Sequence, residues 1–92
     1  MSPSSDVVGV VAARLPQLVA LHARPAGQLV RAAAAFPCAV VVAANGRRAN
    51  AKSILEVIGL GATGGTELEL SASGECAAEA VEHLAALVRS LD

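Results

Sequence analysis

The spacing of apolar positions changes several times along this chain, and each change predicts an element. Residues 7–15 are β-branched and apolar enough for a strand, which Pro16 ends. Residues 16–21 follow as a loop, unusually apolar for a surface segment, suited to packing beneath it or to a patch for a partner. Over residues 23–36, Ala26, Leu29, Val30, Ala33 and Phe36 recur at three- and four-residue intervals, the stripe of an amphipathic helix, and Pro37 stops it. Residues 39–44 form a short strand. Asn45-Gly46 is the pair that most readily takes the positive φ values of a two-residue hairpin turn, and the polar residues 47–50 return as an edge strand.

Residues 53–58 read as a short helix in which Ser53 and Glu56 have the spacing of a reciprocal cap. Gly59, Gly61, Gly64 and Gly65 make a connector. Residues 66–72 alternate Leu68, Leu70 and Ala72 with Glu67, Glu69 and Ser71, as a strand with one buried face does. A last helix starts at Ser73-Gly74, with Ala77, Ala80, Val81, Leu84, Leu87, Val88 and Leu91 on one stripe. Glu75 and Glu79 near its start and Arg89 near its end suit the helix dipole. The order β-α-β-β-α-β-α predicts an α+β layer, with helices covering one side of an antiparallel sheet. Residues 1–6, rich in Ser, read as a disordered lead-in, and residues 7–92 as one domain.

Composition narrows the function. With 54% apolar residues but a single aromatic, Phe36, the core is built from Ala, Val, Leu and Ile. A formal charge of −1, no basic run and almost no rings argue against nucleic acid, so the partners are proteins. Cys38 and Cys76 lie far apart without clustered histidines, which suggests neither a disulfide framework nor a metal site. They read as small buried hydrophobes in a reduced, cytoplasmic chain. The apolar run 32–44 is broken by Pro37 and is too short for a bilayer.

The chemistry gathers at residues 20–26, Ala-Leu-His-Ala-Arg-Pro-Ala. Pro25 places His22 just before a helix, where backbone N–H groups lack intrahelical partners and the dipole attracts anions. Arg24 adds a full charge on a planar fork of donors that matches phosphate oxygens. Nothing resembles a nucleotide loop, paired carboxylates or a metal cluster, so no cofactor and no independent turnover are expected. His22 therefore reads as a nucleophile that takes a phosphoryl group, with Arg24 and the helix end holding its oxygens. His83, four residues after Glu79, reads as a solvated surface residue.

Leu21-His22-Ala23-Arg24-Pro25-Ala26, Asn45-Gly46, Asn50-Ala51-Lys52-Ser53-Ile54 and Ser71-Ala72-Ser73-Gly74, in this order and spacing, resemble HPr, the histidine phosphocarrier of the sugar phosphotransferase system. The resemblance implies an open-faced β-sandwich, four antiparallel strands with three helices on one face. It implies His22 as phosphoacceptor through Nδ1, Arg24 as phosphate contact, phosphorylated enzyme I as donor and enzyme IIA components as acceptors. Gly27, Val30, Ile54, Leu55 and Ile58 match the partner surface, although Ile54 and Ile58 suit a core equally well. Ser53 matches a serine that a regulatory kinase modifies in some members.

Two departures bear on these roles. Ala20 stands where the family usually has glycine, and would strain the loop if φ there is positive. Glu56 also replaces a usual glycine, and its carboxylate competes with a phosphate on Ser53, which favours Ser53 as a cap. A regulatory interaction module of the same fold, and a carrier in a nitrogen-related or dihydroxyacetone-kinase relay, are the alternatives.

Overall fold

In this computed structural model, which describes residues 8–92, the chain runs β1 (Val8–Arg14), α1 (Ala23–Ala34), β2 (Ala39–Ala44), β3 (Arg47–Asn50), α2 (Ile54–Ile58), β4 (Glu67–Ser73) and α3 (Ala77–Ser90). The expected lead-in, residues 1–6, lies outside the described residues. The strands form one antiparallel sheet in the order β1-β4-β2-β3. The polar β3 is an edge strand, as its composition predicts.

Alternation decides which side of the sheet is covered. Val40, Val42, Leu68, Leu70 and Ala72 turn one way and are buried. They meet the helix residues Leu29, Ala33, Val57, Val81, Leu84 and Val88 in one core. Each fully buried Leu or Val there contributes about 1.5–3 kcal/mol. The opposite side lacks a cover among the described residues, so Val8 and Val10 are 60% and 56% exposed. The fold is the open-faced sandwich, with three helices on one face of four strands.

Asn45 at φ 56° and Gly46 at φ 75° turn the chain between the paired Ala44 and Arg47, the mirror-image turn that matches strand twist. Arg47 Nη1 then donates to the carbonyl of Gly59 at 3.0 Å, and Asn45 Nδ2 donates to that of Leu60 at 3.3 Å. The hairpin thereby holds the C-terminal end of α2.

Four local expectations need correction. Helix α1 ends at Ala34 instead of Phe36, because Pro37 disfavours helical backbone at the residue before it. The Ala35 and Phe36 amides close short turns onto Ala32 and Ala33. Helix α3 starts at Ala77, not at Ser73-Gly74: Ser73 is still paired with Val8 and Ala39, and Gly74 takes φ 115°. Glu75 therefore precedes the helix, while Glu79 lies in its first turn. The cap of α2 is one-sided. Ser53 Oγ accepts from the Glu56 amide at 3.4 Å, but Glu56 Oε1 accepts from the Asn50 amide at 2.9 Å, and the Ser53 amide goes to the Asn50 carbonyl.

The fourth concerns the cysteines. Cys38 and Cys76 are bonded as a disulfide, with their Cα atoms 6.1 Å apart. Separation in sequence hid the pair, because the β4–β2 pairing brings Ser73 beside Ala39 and so carries the two flanking loops together.

Candidate phosphoryl-acceptor site

His22 stands at one end of the sheet because the loop before it is fastened there. The Leu15 amide donates to Thr66 at 2.9 Å and the Leu21 amide to Ala62 at 2.9 Å. The apolar loop is a mixture of the two characters its sequence allowed. Val19 and Leu21 are buried, at 8% and 2% exposure, whereas Leu18 is 99% exposed. Ala20 is not at positive φ, the only such residue other than glycine being Asn45 among those described, so alanine is unstrained there.

His22 is the N-cap of α1, with φ −95° and ψ −159°. Its carbonyl accepts the first helical hydrogen bond, from Ala26 at 2.8 Å, while its side chain makes no capping bond. The ring is exposed. Pro25 is the third helical residue, where an amide would have no acceptor inside the helix, so it costs no bond. The amides of Ala23 and Arg24 are the helix-end donors left over.

Arg24 is exposed in the first turn. Arg14, Arg47 and Arg89 each donate to a backbone carbonyl, but Arg24 does not among the described residues. The histidine, the uncommitted guanidinium and two amides thus share one helix end. The end's partial charge stabilises an anion by about 0.3–1 kcal/mol when exposed.

Helix α2 carries exposed apolar side chains. Ile54, Leu55 and Ile58 are 37%, 80% and 36% exposed, and α2 buries only Val57. Ile54 and Ile58 are therefore not core residues. Helix α2 packs against α1, where Gly27 and Val30 are half-buried, and Ala62, which accepts from Leu21, follows shortly after Ile58. Gly27 and Val30 on α1 and Ile54, Leu55 and Ile58 on α2 thus lie on two helices that pack together. Ser53 begins α2 with its hydroxyl engaged as the cap.

A cleft of about 590 Å³ lined by Pro37, Val41, Arg48, Asn50, Lys52 and Glu56 lies elsewhere and includes neither His22 nor Arg24. His83 is exposed as expected, with its ring edge-on to Phe36 at 5.6 Å between centroids.

Residues 14–90 match the family model described as the HPr component phosphorylation site of the phosphotransferase system. The chain belongs to the HPr family. It is 48% identical over 71 residues to the phosphocarrier protein HPr of Vibrio cholerae, covering 77% of this chain and 84% of that one. It is 52% identical over 69 residues to the HPr of Streptomyces coelicolor, covering 74% of each. The crystal structure of HPr from Bacillus anthracis superposes with a TM-score of 0.85 at 30% identity, covering 91% of this chain and all of that one. No helix among the described residues is long and apolar enough to cross a membrane.

Proposed function

We propose that this HPr protein accepts a phosphoryl group on His22 from phosphorylated enzyme I and passes it to enzyme IIA components of sugar uptake, acting in the cytoplasm as a carrier without turnover of its own. The observation that carries this reading is the exposed His22 ring, free of any capping bond, at a helix end with two unused amides.

The neutral ring attacks phosphorus through one nitrogen as the bond to the donor's leaving atom breaks, while the other nitrogen keeps its proton. Arg24 and the amides of Ala23 and Arg24 meet the phosphoryl oxygens during transfer. Attack through Nδ1 follows the family pattern. Gly27, Val30, Ile54, Leu55 and Ile58 form the face against which donor and acceptor dock in turn. A purely regulatory module has no use for an exposed histidine beside an uncommitted arginine.

The test is reconstitution with enzyme I, phosphoenolpyruvate and an enzyme IIA. Phosphoryl transfer to the IIA domain should require this protein, and transfer that proceeds equally without it would reject the relay.

A further inference from the structure

The disulfide lies at the end of the fold away from His22. Cys38 precedes β2 and Cys76 is the N-cap of α3, whereas His22 begins α1, whose twelve residues span roughly 18 Å toward the Cys38 loop. The corner is shaped for the pair. Gly74 takes φ 115°, a conformation open to glycine, and a Cβ placed there would meet Cys38 Cβ at 3.4 Å. The same loop is held twice more, by Lys52 Nζ donating to the Phe36 carbonyl at 2.7 Å and by the Phe36–His83 ring contact. A Cα separation of 6.1 Å lies within the range that a disulfide spans.

The two sulfurs differ in access. Cys38 is 8% exposed, and Cys76 is half-buried beside a cleft of about 400 Å³ lined by Pro37, Cys38, Gly74, Glu75 and Cys76. Cys76 also sits at the N-cap of α3, at the rim of the fold where a small molecule can approach it. We propose that Cys38 and Cys76 are a reversible thiol–disulfide site, entered at Cys76 by small thiols and disulfides, which clips the α1–β2 loop to the start of α3 and leaves phosphoryl acceptance at His22 unaltered.

In the opening direction a small thiolate attacks Cys76 Sγ, the Cys38–Cys76 bond breaks and Cys38 leaves as thiolate. A second small thiolate then attacks the mixed disulfide, releasing Cys76 and a small-molecule disulfide. The protein gains two electrons and two protons while two small thiols are oxidised. Closing reverses these steps with a small disulfide as oxidant.

The test uses the whole native protein in glutathione buffers. Oxidised glutathione should remove two hydrogens from the mass and abolish both titratable thiols, and reduced glutathione should restore them without denaturant. The oxidised form should melt about 10 °C or more above the reduced one. In Cys38→Ser, the remaining Cys76 should take a glutathione adduct roughly tenfold faster than Cys38 does in Cys76→Ser. Thiols that stay free in oxidised glutathione, a bond that opens only in denaturant, or equal melting temperatures would overturn the site, and equal adduct rates would overturn entry at Cys76. The wild-type titration needs no variant to fold. Acceptance of phosphoryl groups should agree within twofold between the two redox states, and a tenfold difference would overturn the claimed independence. Only this last arm depends on the relay reading; the thiol and melting readouts stand or fall without it.

Discussion

The amide of Leu21 donates to the carbonyl of Ala62 at 2.9 Å, and this bond joins the residue before His22 to the segment that leaves α2. It ties the chain entering α1 to the chain leaving α2. The neighbouring fastening is tighter still: Gly64 lies so close to the Gln17 carbonyl that a side-chain carbon there has no room. Gly64→Ala should therefore push the 16–18 turn outward, at a cost of about 1–3 kcal/mol. Chemical denaturation will show the loss, and phosphoryl acceptance should slow with it. An unchanged unfolding midpoint would show that the loop is not fastened at Gly64.

The Arg24 side chain is exposed and makes no hydrogen bond to another described residue, so its removal should leave the fold intact. A charge-assisted hydrogen bond to phosphate is worth about 1.5–3 kcal/mol. Arg24→Ala should thus lower the rate of acceptance from enzyme I roughly tenfold to a hundredfold with the melting temperature unchanged. Arg24→Lys, which keeps the charge but loses the planar fork, should fall between. Wild-type rates in Arg24→Ala would remove the residue from the site.

Helix α2 offers a paired comparison. Leu55 is 80% exposed and Val57 is fully buried. Leu55→Ser should weaken binding to a phosphotransfer partner by about 1 kcal/mol or more without moving the melting temperature. Val57→Ala should do the reverse, costing about 1–3 kcal/mol of stability while the folded protein still transfers. Calorimetry and transfer kinetics on the two variants separate the roles, and a stability loss in Leu55→Ser equal to that in Val57→Ala would return the residue to the core.

Ser53 caps α2, so Ser53→Ala should cost about 0.5–2 kcal/mol. Glu56, in the first turn of the helix that Ser53 caps, holds the Asn50 amide with its carboxylate. Repulsion there should make Ser53 a poor substrate for a regulatory kinase, and Glu56→Gly should raise its labelling several-fold. Equal labelling of the two proteins would show that Glu56 does not oppose the modification.

Much of this was legible because it is written in local chemistry. The alternation of Leu68, Leu70 and Ala72, the Asn45-Gly46 turn and the stripe of α1 each specify their elements within a few residues. His22, Arg24 and Pro25 likewise announce a helix end with charge beside it. What local pattern could not show depends on distant contacts. The Cys38–Cys76 bond follows from strand order, which brings Ser73 beside Ala39. The exposure of Ile54 and Ile58 follows from how α2 is rotated on α1, and a five-residue helix has too few positions to declare its buried side. Gly74 delays α3 because its backbone conformation, invisible in a helical stripe, keeps Ser73 in the sheet.

The relay proposed for this protein rests on one exposed imidazole, His22 at the start of α1, as the phosphoryl acceptor. Peptide mapping under neutral conditions, after incubation with enzyme I and phosphoenolpyruvate, tests it most directly. An acid-labile phosphoryl group on His22, absent from His22→Ala, is the predicted result. A phosphoryl group that maps to another residue, or that persists in His22→Ala, would contradict it.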